Sequence, residues 1–400
     1  MRRASAPNPQ SWGLSFSGVM VYNIGMNIIQ RIFKEHFESV KMSGITIRDS
    51  VIENVRKMIR CGDMKYGYIL YGCEHCGKIK YAPLRCKSRF CPNCGNLYCR
   101  RRSTAMSYKL INCRHRHCVF TIPKELRSFF RKDRNLLNCL FQAVRDVILR
   151  MFYKMNKSEN FTPGFICVLH TFGRDLKWNP HIHVLLSEGG TGKLTLWRHV
   201  KHFNYTLLRN SFRTALLNLM EKHIGVSFKQ TKAYIYKHCP DGFYVYAKTA
   251  VSKSKDVIKY IGRYLGRPVI ASSRIDNYDG LSVTFHFNRH EDHQLVTETI
   301  SAVDFIKRLI VHIPDKHFKM IRYYGIYAKH HKNADNFVKA VHDQKKRFLS
   351  SLNNWRTSLL LDFGVDPLLC TCGQHMICLD ICLSGTLLSD SYRKKRFDSS

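Results

Sequence analysis

Two histidines flank a single isoleucine in the stretch DLKWNPHIHVLLSEGG, which begins at Asp175. In a strand, residues i and i+2 face the same way, so His181 and His183 would present two imidazoles on one face while Ile182 faces the core. Two imidazoles in that arrangement can hold one divalent ion. Because the chain has 20 histidines, a His-x-His pair is close to chance expectation. The pattern alone therefore leaves two polar strand residues as an equal alternative.

A third metal ligand has to come from elsewhere, because the apolar residues after His183 supply none and do not match a hydrolytic zinc site. The stretch PGFICVLHTF precedes the turn GRDLKWNP, and together with the histidine segment it predicts a long hairpin. His170 then falls opposite His181 if the turn centres between Asp175 and Leu176. His170 is thus a candidate third ligand, with a capping or packing histidine as the alternative.

Two tyrosines stand four residues apart in KYIGRYLGRP, where Gly266 and Pro268 mark the end of a predicted helix. At that spacing Tyr260 and Tyr264 would emerge from one face of the helix. A phenol can attack a phosphodiester, hold the 5′ phosphate as an ester and leave again, because phenolate is a better leaving group than a serine alkoxide. The pair is therefore a candidate for reversible phosphoryl transfer. Three neighbouring cations are candidate phosphate contacts: Lys259, Arg263 and Arg267.

A second Tyr-x-x-x-Tyr pair, Tyr323 and Tyr327, occurs in RYYGIY. In a chain with 20 tyrosines, about one such pair is expected by chance, so spacing alone does not choose between the two. The earlier pair has the cleaner helix stop and the flanking cations, and these features favour it modestly.

Four cysteines form two Cys-x-x-Cys pairs, CEHC at Cys73 and Cys76 and CPNC at Cys91 and Cys94. Their separation is typical of four thiolates that close one tetrahedral zinc site. Because such a site has no open position, the zinc would be structural. A glycine follows each pair, where a positive φ would favour a tight turn. The ligands held in reserve are Cys86, Cys99 and His75.

A further cysteine cluster lies near the end of the sequence and contains Cys370, Cys372, Cys378 and Cys382. Only one residue separates Cys370 from Cys372, which departs from the usual zinc knuckle. The spacing therefore does not establish a second zinc site.

The composition indicates a nucleic-acid partner. Lys and Arg number 65 against 29 Asp and Glu, which gives a net charge of +36. Such a surplus suits a polyphosphate, whose counterions the protein would release, and does not suit a small-molecule enzyme. A membrane-surface binder is disfavoured because the basic residues are spread among aromatic residues rather than collected on one amphipathic helix. No run of about 18 apolar residues predicts a membrane span.

Cysteine usage and the N-terminal residues indicate the cellular compartment. The 16 cysteines are unevenly spaced in a long basic chain, which favours metal binding in a reducing cytosol over a disulfide scaffold. Prolines interrupt the apolar residues of the start, so no signal peptide is predicted. The leader up to about Gly25 differs in character from the rest of the chain, and Met26 is an alternative start of translation.

Hydrophobic periodicity predicts an α+β fold, in which helices and antiparallel strands mix without βαβ repeats. Asp49 is the expected N-cap of the second helix and Gly62 its stop. The predicted helices cover 28–41, 49–62, two segments within 124–156, 197–223, 226–239 and 255–266. The predicted strands cover 116–123, 163–172, 181–188, 243–248, 274–276, 281–287 and 294–300.

Five segments resemble, in the same order, the two-tyrosine HUH transposases of the insertion sequence ninety-one type, which move single-stranded DNA by a rolling-circle route. They are CKSRFCPNCG, CVFTIPKELRSFF, LHTFGRDLKWNPHIHVLLSEGG, YIGRYLGRP and HIPDKHFKMIRYYGIY. The resemblance extends from about Asn27 to beyond Tyr327, and its long hairpin segment is highly specific.

The resemblance implies a small N-terminal zinc-binding domain followed by an HUH endonuclease core, an antiparallel sheet whose histidine strand faces the tyrosine helix. It also implies Tyr260 and Tyr264 as nucleophiles and Mg²⁺ or Mn²⁺ on His181 and His183. Tyr323 and Tyr324, within the last segment, would be structural or contact DNA. The expected domains are a leader (1–25), helices with the zinc-binding domain (26–110), the HUH nuclease domain (111–330) and a basic C-terminal region with the cysteine cluster (331–400).

The predicted function is a transposase that cleaves and rejoins single-stranded DNA at element ends and target through covalent 5′-phosphotyrosine intermediates, in the bacterial cytoplasm at the nucleoid. One alternative is a zinc-dependent DNA-binding regulator without catalysis. Another is a replication initiator or relaxase with the same chemistry. In the hairpin turn, Arg174, Lys177 and Trp178 are candidate DNA contacts, or they fix the register of the two histidines.

Overall fold

The computed structural model describes most of the chain. The described residues are 20–21, 26–107, 110–111, 113–200, 202–247, 268–289, 291–328, 354, 356–357, 360, 366–384 and 386–388.

Helices and antiparallel strands mix along these residues. The helices are α1 (Ile28–Met42), α2 (Asp49–Ile59), α3 (Pro92–Ser107), α4 (Lys124–Lys132), α5 (Leu136–Met155), α6 (Tyr205–Ile224), α7 (Lys229–His238) and α8 (Ala302–Ile310). Short 3-10 turns cover Met64–Tyr66, Val226–Phe228 and Ser272–Arg274. The strands are β1 (Met20–Val21), β2 (Gly67–Gly72), β3 (Ile79–Pro83), β4 (His115–Thr121), β5 (Thr162–Phe172), β6 (Trp178–Thr191), β7 (Arg198–His199), β8 (Val245–Ala247), β9 (Ile275–Tyr278), β10 (Ser282–Asn288), β11 (Leu295–Ser301), β12 (Ile321–Gly325), β13 (Ile377–Leu383) and β14 (Thr386–Leu387).

The largest sheet has the strand order β12-β5-β6-β4-β8, with β7 added on β6, and all its pairings are antiparallel. Alternate residues of the central strands point into one apolar core, which α5 and α6 cover. Phe120, Leu169 and Ile182 are fully or almost fully buried in that core. The opposite side chains of β5 and β6 are also mostly buried, so the predicted histidine strand lies at the centre of the sheet.

A second core joins the first two helices to residues much later in the chain. Phe33 of α1 and Val55 of α2 are buried in the same cluster as Phe285 of β10 and Phe305 of α8. The three-stranded sheet β11-β10-β9 contributes to this cluster. The N-terminal helices are therefore packed on the region 270–313 rather than on a core of their own.

The tip of the β5–β6 hairpin is anchored in this second core. Leu176 has a φ of 64°, a conformation that is unfavourable for a residue with a Cβ, and its side chain is fully buried. The backbone N–H of Gly173 donates to the Lys177 carbonyl at 2.9 Å, which closes the turn. His312 Nε2 lies 2.9 Å from the Leu176 carbonyl oxygen and its Nδ1 lies 3.0 Å from Thr171 Oγ1, so one imidazole holds both sides of the turn.

The two ends of the sequence meet in a third sheet, of order β1-β3-β2-β13-β14. The hairpin β2–β3 belongs to the predicted zinc-binding module, whereas β13 and β14 come from the C-terminal cysteine cluster. β13 runs antiparallel to β2 over its length, with Ile377 opposite Gly72 and Leu383 opposite Gly67.

The α+β class and most predicted elements are confirmed, with local differences. α2 begins at Asp49 and its N-cap is Arg48, so the carboxylate acts in the first turn near the positive end of the helix dipole rather than as the cap. Residues 197–204 are not helical, and α6 begins at Tyr205 with Asn204 as its N-cap. The predicted helix at 255–266 lies outside the described residues.

None of the helices in the described ranges is both long and apolar enough to cross a bilayer.

Replacing Leu176 with alanine tests the anchoring of the hairpin tip. The Leu176→Ala variant loses buried apolar contact and leaves a cavity, so we expect the free energy of unfolding in urea to fall by about 2 to 5 kcal/mol. Leu295→Ala is the control, because Leu295 is 66% exposed and should change stability by less than about 0.5 kcal/mol. Equal effects of the two substitutions would contradict the anchoring role.

Candidate active site and cysteine clusters

Three histidines converge on one face of the largest sheet. His170 on β5 is directly opposite His181 on β6, as the predicted turn requires, and His183 follows two residues later on the same face. One ring nitrogen from each residue lies within 4.8 Å of the others. His170 and His183 are buried and His181 is half-buried, while Ile182 between them points into the opposite core.

The ring nitrogens of His181 and His183 are arranged for a shared ligand. His181 Nδ1 lies 2.7 Å from the Asn179 carbonyl oxygen, which can only accept, so Nδ1 carries the proton and Nε2 of the neutral ring has a free lone pair. That Nε2 lies 3.0 Å from His183 Nε2. Burial lowers the pKa of His181 to about 4, and burial together with the neighbouring imidazoles lowers the pKa of His183 well below its ordinary value. Both rings are thus neutral at physiological pH, the state that binds metal.

A fourth histidine, which the sequence analysis did not single out, supports His183. His117 on β4 presents Nε2 at 3.0 Å from His183 Nδ1, and the two rings are stacked with centroids 5.2 Å apart. This contact leaves His183 Nε2 facing His181, so His117 orients a candidate ligand without belonging to the trio. A signal existed in the sequence: His115 and His117 form a second His-x-His pair, on the strand next to β6.

The donor set decides which ion the trio suits. The group consists of imidazoles alone among the described residues, without a carboxylate. Imidazole nitrogen favours borderline transition metals, whereas Mg²⁺ prefers oxygen ligands and keeps several waters. The residues therefore fit a divalent transition-metal ion better than Mg²⁺, and within that series Mn²⁺ binds nitrogen ligands most weakly.

The candidate nucleophiles and their flanking cations lie outside the described residues, namely Lys259, Tyr260, Arg263, Tyr264 and Arg267.

The rival tyrosine pair is not on a helix. Tyr323 belongs to β12 and Tyr327 to the turn after it. The Tyr327 hydroxyl is buried and lies 2.7 Å from His115 Nε2, and burial raises its pKa well above the ordinary value. Tyr323 accepts a hydrogen bond from Arg102 at 2.5 Å, and Tyr324 stacks on a core phenylalanine. These tyrosines pack and bond within the protein. For Tyr323 and Tyr324 this supports the structural one of the two expected roles, and contact with DNA stays a prediction.

The hairpin-turn residues differ in what they contact. Arg174 and Lys177 are exposed, although Arg174 also donates to two backbone carbonyls of residues 288 and 289. Trp178 Nε1–H donates to the Arg127 carbonyl at 2.9 Å, and its ring stacks on His312 at 5.9 Å. For Trp178 the packing role has structural support, whereas DNA contact by Arg174 and Lys177 stays a prediction.

The predicted grouping of four cysteines into one site is wrong. Cys91 and Cys94 cluster with Cys61 and Cys86, whereas Cys73 and Cys76 cluster with two cysteines from the C-terminal segment. The reason is the β2–β3 hairpin. Its turn holds Cys73 and Cys76, and Cys86 follows the other end of β3. At about 3.3 Å per residue, five strand residues separate the two ends by roughly 16 Å, so proximity in sequence did not become proximity in space.

The first cluster is built where α2 ends and α3 begins. Cys61 follows α2, and Cys91 and Cys94 lie at the N-terminus of α3, where the helix dipole stabilises thiolates. Cys94 Sγ lies 3.5 Å from Cys61 Sγ and 3.6 Å from Cys86 Sγ. Cys61 had no partner in the sequence pattern and was missed, whereas Cys86 was held in reserve.

The glycines after the cysteines also differ from expectation. Gly77 has the predicted positive φ, 68°. Gly95 instead lies within α3, where an added Cβ would meet the Arg89 carbonyl oxygen at 2.5 Å. It is close approach, not a left-handed turn, that requires glycine at this position.

A cysteine substitution distinguishes the observed grouping from the predicted one. Cys61→Ser should remove one equivalent of zinc from the purified chain, as measured by elemental analysis, because the first cluster would lose one of four thiolates. Cys99→Ser is the matched control, since Cys99 is buried nearby on α3 but belongs to neither cluster. Retention of full zinc content by Cys61→Ser would contradict this grouping.

Two family models of transposases match parts of the chain. Residues 164–335 match the family model described as "Putative transposase", and residues 32–122 match the model described as "Transposase zinc-binding domain". The second match and the cysteine clusters support structural zinc.

Two curated proteins are similar to most of the chain. The "Transposase for insertion sequence element IS801" of Pseudomonas savastanoi pv. phaseolicola is 29% identical over 296 residues, which is 70% of this chain and 71% of that protein. The "Putative transposase y4qJ" of Sinorhizobium fredii is 26% identical over 314 residues, 74% of this chain and 78% of that protein. No solved structure matches the chain. Two family models in the expected order and these relatives support the identification of the chain as a transposase of the insertion sequence ninety-one type.

Proposed function

We propose that this transposase cleaves and rejoins single-stranded DNA through covalent 5′-phosphotyrosine esters of Tyr260 and Tyr264. The observation that carries the proposal is the convergence of His170, His181 and His183 within 4.8 Å on one sheet face, in a chain of a transposase family. Three imidazoles at the centre of a sheet have no packing purpose that apolar residues would not serve better.

The histidine trio would hold one divalent cation, Mn²⁺ in preference to Mg²⁺. When bound, such an ion supplies Lewis-acid neutralisation of charge at the scissile phosphate. His117 keeps the His183 ring oriented through its 3.0 Å contact with Nδ1, and the Asn179 carbonyl does the same for His181.

The tyrosines would supply the nucleophiles. The phenol oxygen of one tyrosine forms a bond to phosphorus, the bond from phosphorus to the 3′ oxygen breaks, and the proton given up by the phenol is balanced by the proton gained by the 3′ oxygen. The strand then has a free 3′-OH, and the 5′ end is held as an ester. The second tyrosine performs the second cleavage, and attack by a 3′-OH on each ester rejoins the strands, so the energy of the phosphodiester bond is kept.

The described residues on either side of the tyrosine segment support its access to the trio. Ala247 ends β8, which is two strands from β6, a distance of roughly 10 Å. Ile270 is buried in the same core as Leu176 at the hairpin tip. The eight residues from Ala247 to the start of the predicted helix at 255 can span up to roughly 26 Å, more than the lateral distance between the strands.

The proposed partner is single-stranded DNA at the element ends and the target. The charge of +36 supplies the general attraction to phosphates. Arg174 and Lys177 are exposed at the hairpin tip, a few residues from the histidine trio, and are proposed to contact the strand beside the scissile phosphate.

Covalent capture tests the chemistry. A labelled single-stranded oligonucleotide of the element end, incubated with the full chain and Mn²⁺, should yield an adduct that survives a denaturing gel. The Tyr260→Phe/Tyr264→Phe double variant should lose the adduct at least about a hundredfold, because no phenol remains to form the ester. Tyr244→Phe is the control, since Tyr244 is 54% exposed and belongs to neither tyrosine pair.

The outcomes separate the rival functions. A DNA-binding regulator without catalysis would bind the oligonucleotide and form no adduct with any variant, which would overturn the proposal. A replication initiator or relaxase would form the adduct but would not join an element end to a second, unrelated target oligonucleotide, whereas a transposase should join them.

The metal role has a separate test. His183→Ala should weaken Mn²⁺ binding by tenfold or more, by analogy with the roughly 10- to 100-fold losses seen when supporting residues of metal sites are removed. His238→Ala is the control, because His238 is exposed on α7. Titration of Mn²⁺ by electron paramagnetic resonance measures the affinity, and unchanged binding in His183→Ala would exclude the trio as the site.

A further inference from the structure

We propose that a second zinc ion binds Cys73, Cys76, Cys370 and Cys372 and thereby joins the β2–β3 hairpin to the C-terminal segment. The four Sγ atoms lie within 4.8 Å of one another. Cys73 and Cys372, whose Sγ atoms lie 3.5 Å apart, are 299 positions apart in the sequence. The C-terminal half of this set lies outside both family matches, which cover 32–122 and 164–335.

The sulfur distances fit a metal site. Cys73 Sγ lies 3.5 Å from Cys372 Sγ, and Cys76 Sγ lies 3.5 Å from Cys370 Sγ. Four thiolates at 2.3 Å from one zinc in a tetrahedron are about 3.8 Å apart, whereas a disulfide brings two sulfurs to about 2.05 Å. Four sulfur ligands fill the coordination sphere, so the ion would be structural.

Each cysteine pair occupies a turn that a glycine closes. The Gly77 N–H donates to the Cys73 carbonyl at 2.9 Å, and the Gly373 N–H donates to the Cys370 carbonyl at 3.0 Å. Each glycine directly follows its second cysteine and has a positive φ, 68° and 86° respectively. The Cys-x-Cys pair therefore forms a turn that aims two sulfurs to one side, as the Cys-x-x-Cys pair does.

The sheet positions these turns independently of any metal. The turn with Cys73 and Cys76 follows β2, and the turn with Cys370 and Cys372 precedes β13. β13 is antiparallel to β2 with Ile377 opposite Gly72. The C-terminal end of β2 and the N-terminal end of β13 therefore lie side by side. Strand pairing thus places the two half-sites beside each other.

Nearby cations match the charge that such a site would carry. Four thiolates and one Zn²⁺ have a formal charge of −2. Lys78 Nζ donates to Thr371 Oγ1 at 2.6 Å, and Lys80 Nζ donates to the Pro367 carbonyl at 2.5 Å. Both ammonium groups bridge from β3 and its preceding turn to the C-terminal segment, so the same contacts that hold the segment also place positive charge next to the cluster.

Zinc content of the full chain tests the proposal. Elemental analysis should find two zinc ions per wild-type chain and one per Cys370→Ser/Cys372→Ser chain. Cys378→Ser is the control from the same segment and should keep two zinc ions, because Cys378 is exposed and belongs to neither group of four converging cysteines. One zinc in the wild-type chain, or two in the double variant, would overturn the proposal.

Thiol labelling of the wild-type chain covers the case in which the double variant fails to fold. Cys76, Cys372 and Cys378 are all exposed when no ion is considered, so alkylation should reach all three in the absence of metal. With zinc bound, mass spectrometry should find Cys76 and Cys372 at least tenfold slower to react than Cys378, and a chelator should abolish the difference. Equal labelling rates before chelation would contradict a second zinc site.

Discussion

The pairing of β5 with β6 is the constraint on which the candidate active site depends. With His170 opposite His181, three imidazoles share one face, and the residues between them enter the core that α5 and α6 cover. Because side chains alternate along a strand, a slip of one residue would turn His181 and His183 into the apolar core and Ile182 out of it. The register is therefore enforced by the cost of burying polar rings without partners as much as by the backbone hydrogen bonds.

Contacts from outside the largest sheet hold that register. Leu176 inserts the hairpin tip into a core made by α1, α2, β10 and α8, and His312 bonds to both sides of the turn. The N-terminal helices thus act on the hairpin through a shared core, although they are far from it in the sequence. The proposed cleavage requires a metal and a nucleophile at one phosphate, and a hairpin fixed at its tip as well as along its strands meets that requirement.

Features that depend on local periodicity could be predicted from the sequence. Alternation along β5 and β6 identified the faces of Ile182 and His183, and the turn placed His170 correctly. It failed where partners are distant in sequence. Cys61 has no cysteine within a knuckle spacing, so its association with Cys94 follows only from how α2 meets α3. His117 acquires its contact with His183 because β4 pairs with β6, which is a property of the sheet and not of either strand.

The central claim is that one divalent cation binds His170, His181 and His183 together. Pulsed electron paramagnetic resonance of the Mn²⁺-loaded chain measures it most directly, because coupling to imidazole nitrogens counts the histidine ligands of the ion. The account predicts three coupled imidazoles in the wild-type chain and two in His170→Ala. Mn²⁺ without nitrogen coupling, or an unchanged count in His170→Ala, would contradict it.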